Sequence, residues 1–154
     1  MKNLYSPDAH DEIVQRIGHL QRDATPEWGT MNVGQMLAHC SEIIEVFNGT
    51  KELEGTPRIA KLLKGLIRRE VFADKPFARN VRTHPQYVTK GHYDFDKERE
   101  RLLAGIAAFV AEDPEEASRR EHPLLGTSTA DERGRMMYKH LDHHLRQFGL
   151  KDEG

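Results

Sequence analysis

Two histidines four residues apart, His140 and His144, are the feature of this sequence with the clearest chemical potential. At about 100° per residue an i, i+4 pair stacks on one helical face, close enough for both rings to bind one divalent ion. Both fall inside the apolar stripe of Met136, Met137, Leu141, Leu145 and Phe148, so they are expected to point into the protein. His143 projects at the margin of that stripe and is expected to be solvated or to stand behind the ligands. Two ligands alone bind weakly. A third candidate is His39, at the edge of another apolar stripe between Met36 and Ile43. Three inward imidazoles are hard to explain as packing, because each needs a polar partner away from water. Three neutral imidazoles would leave a tetrahedral ion one open position, the pattern of a catalytic rather than a structural zinc.

Those histidines sit in an apolar pattern that is mostly helical, with strand periodicity nearly absent. The spacing predicts a helix over 7–22, with Ser6 as N-cap and Pro7 at the first helical position. A second is predicted over 32–47, ending at Asn48 and Gly49, and carries His39. A third begins at Thr56 and Pro57, with Ile59, Leu62, Leu63, Leu66 and Ile67 expected to face inward and a wholly basic polar side. Residues 72–93 lack period and contain Pro76, Pro85 and Gly91, which predicts a long irregular connection. A fourth helix is predicted over 96–111. After a loop at 123–128, capping-box spacing from Thr129 to Glu132 opens the last helix, which carries His140 and His144 and runs to about Phe148. Antiparallel amphipathic helices with long crossovers imply an all-α fold, a bundle of four main helices with an additional short helix.

Composition narrows the function classes. The chain has 154 residues, a formal net charge of -2 and 37% hydrophobic residues, which suits one soluble domain over 1–154 with a core that needs no metal or disulfide staple. A metal would therefore serve function. Near-neutrality argues against a general nucleic-acid binder. The single cysteine, Cys40, excludes an internal disulfide and a Cys-only zinc site and suits the cytoplasm. No apolar stretch is long enough for a signal peptide or membrane span. Cys40 adjoins His39 but projects near the centre of its apolar face, so it reads as an inert core thiol.

The run Trp28-Gly29-Thr30-Met31-Asn32-Val33-Gly34-Gln35-Met36-Leu37-Ala38-His39 resembles the opening motif of the DinB-like superfamily of metal-binding four-helix bundles. The closing segments, His122-Pro123-Leu124-Leu125-Gly126 and Tyr138 to Gly149, resemble an uncharacterised branch of it. Its closing helix often carries a Trp after the capping Glu, where Arg133 stands here. The resemblance implies a DinB-like bundle in which His39, His140 and His144 hold a divalent metal, commonly zinc or nickel. It also implies a possible partner in catalysis, since characterised relatives include transferases and isomerases that activate a low-molecular-weight thiol such as bacillithiol or mycothiol. Thiol-dependent S-transfer is therefore the leading expectation, with hydrolysis by a metal-bound hydroxide second and a non-catalytic metal-binding or stress-response protein third. A homodimer is expected, because such bundles commonly share helical faces between subunits.

The substrate is expected to be a small molecule, and its charge has one clue. Residues 57–90 carry nine Lys and Arg against Glu70 and Asp74, a net of +7 in a chain that totals -2. Such separation can create a local positive potential that draws in an anionic ligand. The alternative is a solvated face balanced by acidic neighbours. Arg79 and Arg82 are the residues of interest, because they lie in the irregular connection. No general base is identifiable.

Overall fold

The structure, a computed structural model, describes residues 1–152. It is all-α, as expected. Among the described residues seven α-helices follow in order: α1 (Pro7–Gly18), α2 (Val33–Asn48), α3 (Arg58–Leu62), α4 (Lys64–Phe72), α5 (Phe95–Ala111), α6 (Pro114–Ser118) and α7 (Ala130–Gln147). A single 3-10 turn, Pro85–Tyr87, interrupts the long connection between α4 and α5. Among the described residues β pairing is limited to one isolated bridge, between His122 and Gly126. No described helix is long and apolar enough to cross a membrane.

Local signals set the ends of the two helices that carry the histidines. Asn32 accepts from the Gln35 N–H while the Gln35 side chain accepts from the Asn32 N–H, a complete capping box at the start of α2. Thr129 and Glu132 do the same for α7. Gly49 closes α2 in the left-handed conformation at φ 72°, which costs a residue without Cβ nothing. α5 begins one residue earlier than expected because Asp94 caps the Lys97 N–H. α1 stops at Gly18, short of the expected 22, and the chain turns so that Leu20 is buried.

One contiguous core joins the four longest helices, with Ile13 and Ile17 from α1, Leu37 and Ile44 from α2, Leu102 and Ile106 from α5, and Met137 and Leu141 from α7. Gly105 lets α5 approach α2: a Cβ there would lie 2.7 Å from Ile44 Cγ2. α1 is tied to α7 by Arg16, whose guanidinium bonds both Glu12 and Asp142. Arg133, at the position where the resembling branch often has Trp, is 1% exposed. Its guanidinium lies 5.5 Å from the ring centres of both Phe47 and Phe109 and donates to the Phe47 carbonyl. A flat delocalised cation thus fills an aromatic slot.

The expected third helix differs most. It breaks at Leu63 into α3 and α4, and the stripe predicted to face inward is largely in solvent: Ile59, Leu62, Leu63 and Leu66 are exposed. Arg68 decides the orientation. It donates to the carbonyls of Leu125 and Thr127 and to the Glu132 carboxylate, which turns Ile67, Val71 and Phe72 toward the core and rolls the other apolar residues outward.

Candidate metal centre

α2 and α7 bring His39, His140 and His144 together. All three are buried, at 5%, 7% and 7% exposure, and their ring centres are 4.8 to 5.2 Å apart. One ligand nitrogen from each lies within 4.8 Å of the others. The closest pair, His39 Nε2 and His140 Nε2, are 3.2 Å apart. Nitrogens around a tetrahedral zinc stand about 3.3 Å apart, given bonds of about 2.0–2.1 Å, so this edge already has ligand spacing.

Neighbouring groups fix which nitrogen carries the proton. His39 Nδ1 is 2.7 Å from the Tyr87 carbonyl, which can only accept, so Nδ1 holds the hydrogen and the Nε2 lone pair faces the other histidines. On α7, His144 Nδ1 is 2.8 Å from Gln147 Oε1, and the Gln147 amide is held the right way round by donating to the Trp28 carbonyl at 2.7 Å. His144 therefore also presents a bare Nε2. Such outward donation is the usual support of a metal-ligating histidine. The third ring is the frustrated one. With His39 Nε2 bare, His140 Nε2 supplies the hydrogen between them, and the buried His140 Nδ1 is left with no partner. A cation shared by the three Nε2 atoms would replace that contact and move the His140 hydrogen to Nδ1, so the donor set fits a divalent ion, with His140 the one ligand that has no outward acceptor.

The electrostatics agree. Burial pushes the His39 imidazole below its ordinary range, and burial with the adjacent histidines holds His140 and His144 well below it. All three are neutral at pH 7, the form that coordinates.

A cavity of about 1020 Å³ opens beside the triad. Trp28, Phe77, Tyr87 and Met136 are among its walls, and Arg82 and Lys90 border it. No Asp or Glu among the described residues lines it. His143 borders the cavity outside the triad, half-buried, with its ring edge-on to Trp28 and Phe77. Arg79 lies over the Trp28 ring at 4.1 Å. The rest of the basic segment is partly balanced in space, with Arg68 on Glu132, Lys75 on Glu70 and Lys64 near Glu121. Cys40 is buried against Met36, and burial pushes its thiol far up, so it packs rather than reacts.

The model of a family described as Protein of unknown function (DUF1569) matches residues 2–151. The chain belongs to that family. No curated protein and no solved structure matches it. Three features of this DUF1569 chain escape a reading of its histidine spacing. Gln147 had a signal, since it lies three residues after His144 on the same helix. The Tyr87 carbonyl had none, because a backbone acceptor in an irregular connection leaves no mark on residue type. His122 appears only as the first residue of the closing segment that carries the resemblance, with no role of its own, yet it is 6% exposed and forms part of the cavity wall.

Proposed function

We propose that this chain is a DinB-like four-helix bundle, folded as one domain, that binds a divalent ion, zinc or nickel, through His39, His140 and His144. Its proposed activity is transfer chemistry on a small molecule held in the adjoining cavity, with a low-molecular-weight thiol as co-substrate. The observation that carries the reading is the convergence of three buried, neutral imidazoles, two of which are held with a bare Nε2 by Tyr87 and Gln147.

A divalent ion held by three imidazoles supplies a Lewis acid that stabilises an anion beside it. The chain's own residues do the rest. Tyr87 and Gln147 hold two of the rings at fixed tautomer and angle. Trp28, Phe77 and Tyr87 provide apolar walls that limit water. Arg82 and Lys90 place positive charge on the cavity with no carboxylate to offset it there. That last feature favours thiol transfer over hydrolysis, because a thiol, with a pKa of about 8.5, gives its proton to solvent far more readily than water does and so depends less on a side-chain base.

The test is turnover by the metal-loaded protein of electrophiles with several low-molecular-weight thiols, run beside ester and amide substrates without thiol. Thiol-dependent turnover that vanishes in His39→Ala is expected. Turnover of esters alone would replace the transferase with a hydrolase, and none in either arm would leave a metal-binding protein. The charge on the cavity makes a second expectation: Arg79→Gln with Arg82→Gln should raise the Michaelis constant for an anionic substrate and flatten its salt dependence, with metal content unchanged. An unchanged Michaelis constant would return these arginines to a solvated surface. The reading includes a homodimer, for which the apolar residues left in solvent on α3 and α4 offer a surface. Light scattering should give the mass of two chains, and the mass of one would remove the dimer.

A further inference from the structure

His122 has a use that neither the triad nor the core accounts for. Its Nδ1 is 3.2 Å from the Leu124 N–H and 3.1 Å from the Leu125 N–H, two backbone groups that can only donate. Nδ1 must accept from both and so carries no hydrogen. The proton of the neutral ring is then on Nε2, which is buried and has no partner. An unpaired buried donor costs stability, so it calls for an acceptor. The Nδ1 edge is sealed by the turn and one face lies against Phe47 at 4.7 Å, while the residue borders the cavity.

The surroundings say what that acceptor is. Burial, then the Arg133 guanidinium, hold the His122 imidazole down to about 4, so it stays an uncharged donor at neutral pH. Arg133 makes no ion pair among the described residues, so no bonded carboxylate offsets its charge near this ring, whereas Lys64 is partly balanced by Glu121. The field therefore favours an anionic oxygen. Apolar side chains make up much of the cavity wall between His122 and the metal centre, with His84 and Tyr87 also bordering it. His39, Ile43 and Phe47 follow one another along the cavity side of α2, and eight residues of helix span about 12 Å. Met136, Leu124 and Leu125 border the same space.

We propose that His122 Nε2–H binds a carboxylate oxygen at the end of the cavity remote from His39, so that the cavity takes an elongated amphipathic carboxylic acid. This rests on the cavity being the reaction site proposed above, and it names the substrate class of that site: a carboxylate at one end, an apolar middle, and the reacting group beside the three histidines.

The test uses decanoate as probe, titrated by calorimetry into the zinc-loaded and the metal-free protein, with protonated decylamine as control. His122→Asn is the informative variant, because the Asn side-chain oxygen can accept the same two turn N–H groups while the Nε2–H donor is lost. Decanoate is expected to bind the wild type and to bind His122→Asn at least about tenfold more weakly, with decylamine not bound by either. Nitrogen-15 spectra of the wild-type histidines should show the Nε2–H tautomer at His122 and a shift of that nitrogen on addition of decanoate, which decides the matter even if the variant folds poorly. Equal decanoate affinity in both proteins, no decanoate binding to the wild type, or an Nδ1–H tautomer at His122 would overturn the proposal. A chain that takes up no zinc yet binds decanoate through His122 would support it while removing the metal reading. Normal zinc uptake with decanoate affinity indifferent to His122→Asn would remove this proposal and leave the metal reading standing.

Discussion

Replacing His140 with alanine is expected to lower divalent-metal affinity at least about 100-fold, and His39→Ala and His144→Ala should do the same. Each change leaves two imidazoles, and two ligands hold an ion poorly. The variants differ in what else they lose. His140→Ala removes an unpartnered Nδ1 together with the donor to His39 Nε2, two changes of opposite sign, so the metal-free protein should be destabilised less by it than by the other two. His39→Ala strands the Tyr87 carbonyl, and His144→Ala strands the Gln147 amide oxygen, so both should also cost stability without metal. Gln147→Leu leaves all three ligands in place but frees the angle of His144, and a loss of about 10- to 100-fold in affinity is expected. His143→Ala should leave affinity near the wild-type value, because that ring packs on Trp28 and Phe77 rather than joining the triad. Calorimetric titration of metal-stripped protein reads all five, and a His143 variant that loses metal as His140→Ala does would show that the wrong rings have been paired.

The metal-free protein is expected to lose stability steeply as pH falls from 7 to 5. His122, His39, His140 and His144 all have imidazoles held below the ordinary value of 6.5 when folded. A group depressed in this way favours the folded state fully above its unfolded pKa, and that contribution is lost as pH drops toward the folded value. For His122, falling from 6.5 to about 4, linkage gives a loss of about 2 kcal/mol by pH 5. The triad adds in the same direction. Depressed carboxylates such as Glu12 and Glu42 contribute in the same sense but only below about pH 4.5, so the interval from 7 to 5 belongs to the histidines. Chemical denaturation at steps across that interval measures the slope, and His122→Asn should flatten it. A slope unchanged in that variant would mean that His122 is not held neutral.

The placement of the three histidines could be read before any coordinates because the period of α7 is strong. Met136, Met137, Leu141 and Leu145 fix its inward face, and His140 and His144 share it. The same holds for α2, where His39 follows Met36 and Leu37, and the capping boxes at Asn32 and Thr129 set both helix starts. The α3 and α4 segment departs from the expected orientation because its apolar residues wrap more than one face. Which face is buried was decided by Arg68 reaching carbonyls of a distant loop, and no local pattern encodes such a partner. The groups that set the histidine tautomers were hidden for a related reason. The Tyr87 carbonyl and the Leu124 and Leu125 N–H groups belong to the backbone, which every residue carries.

The central claim is that one ion is shared by three imidazoles. X-ray absorption spectroscopy on the protein loaded with one equivalent of zinc tests it directly, beside elemental analysis of the same sample. The expected spectrum has three imidazole nitrogens at about 2.0–2.1 Å, falling to two in His140→Ala, with close to one ion per wild-type chain and no sulfur ligand. A first shell with two imidazoles or fewer in the wild type, or one containing the Cys40 sulfur, would contradict the account.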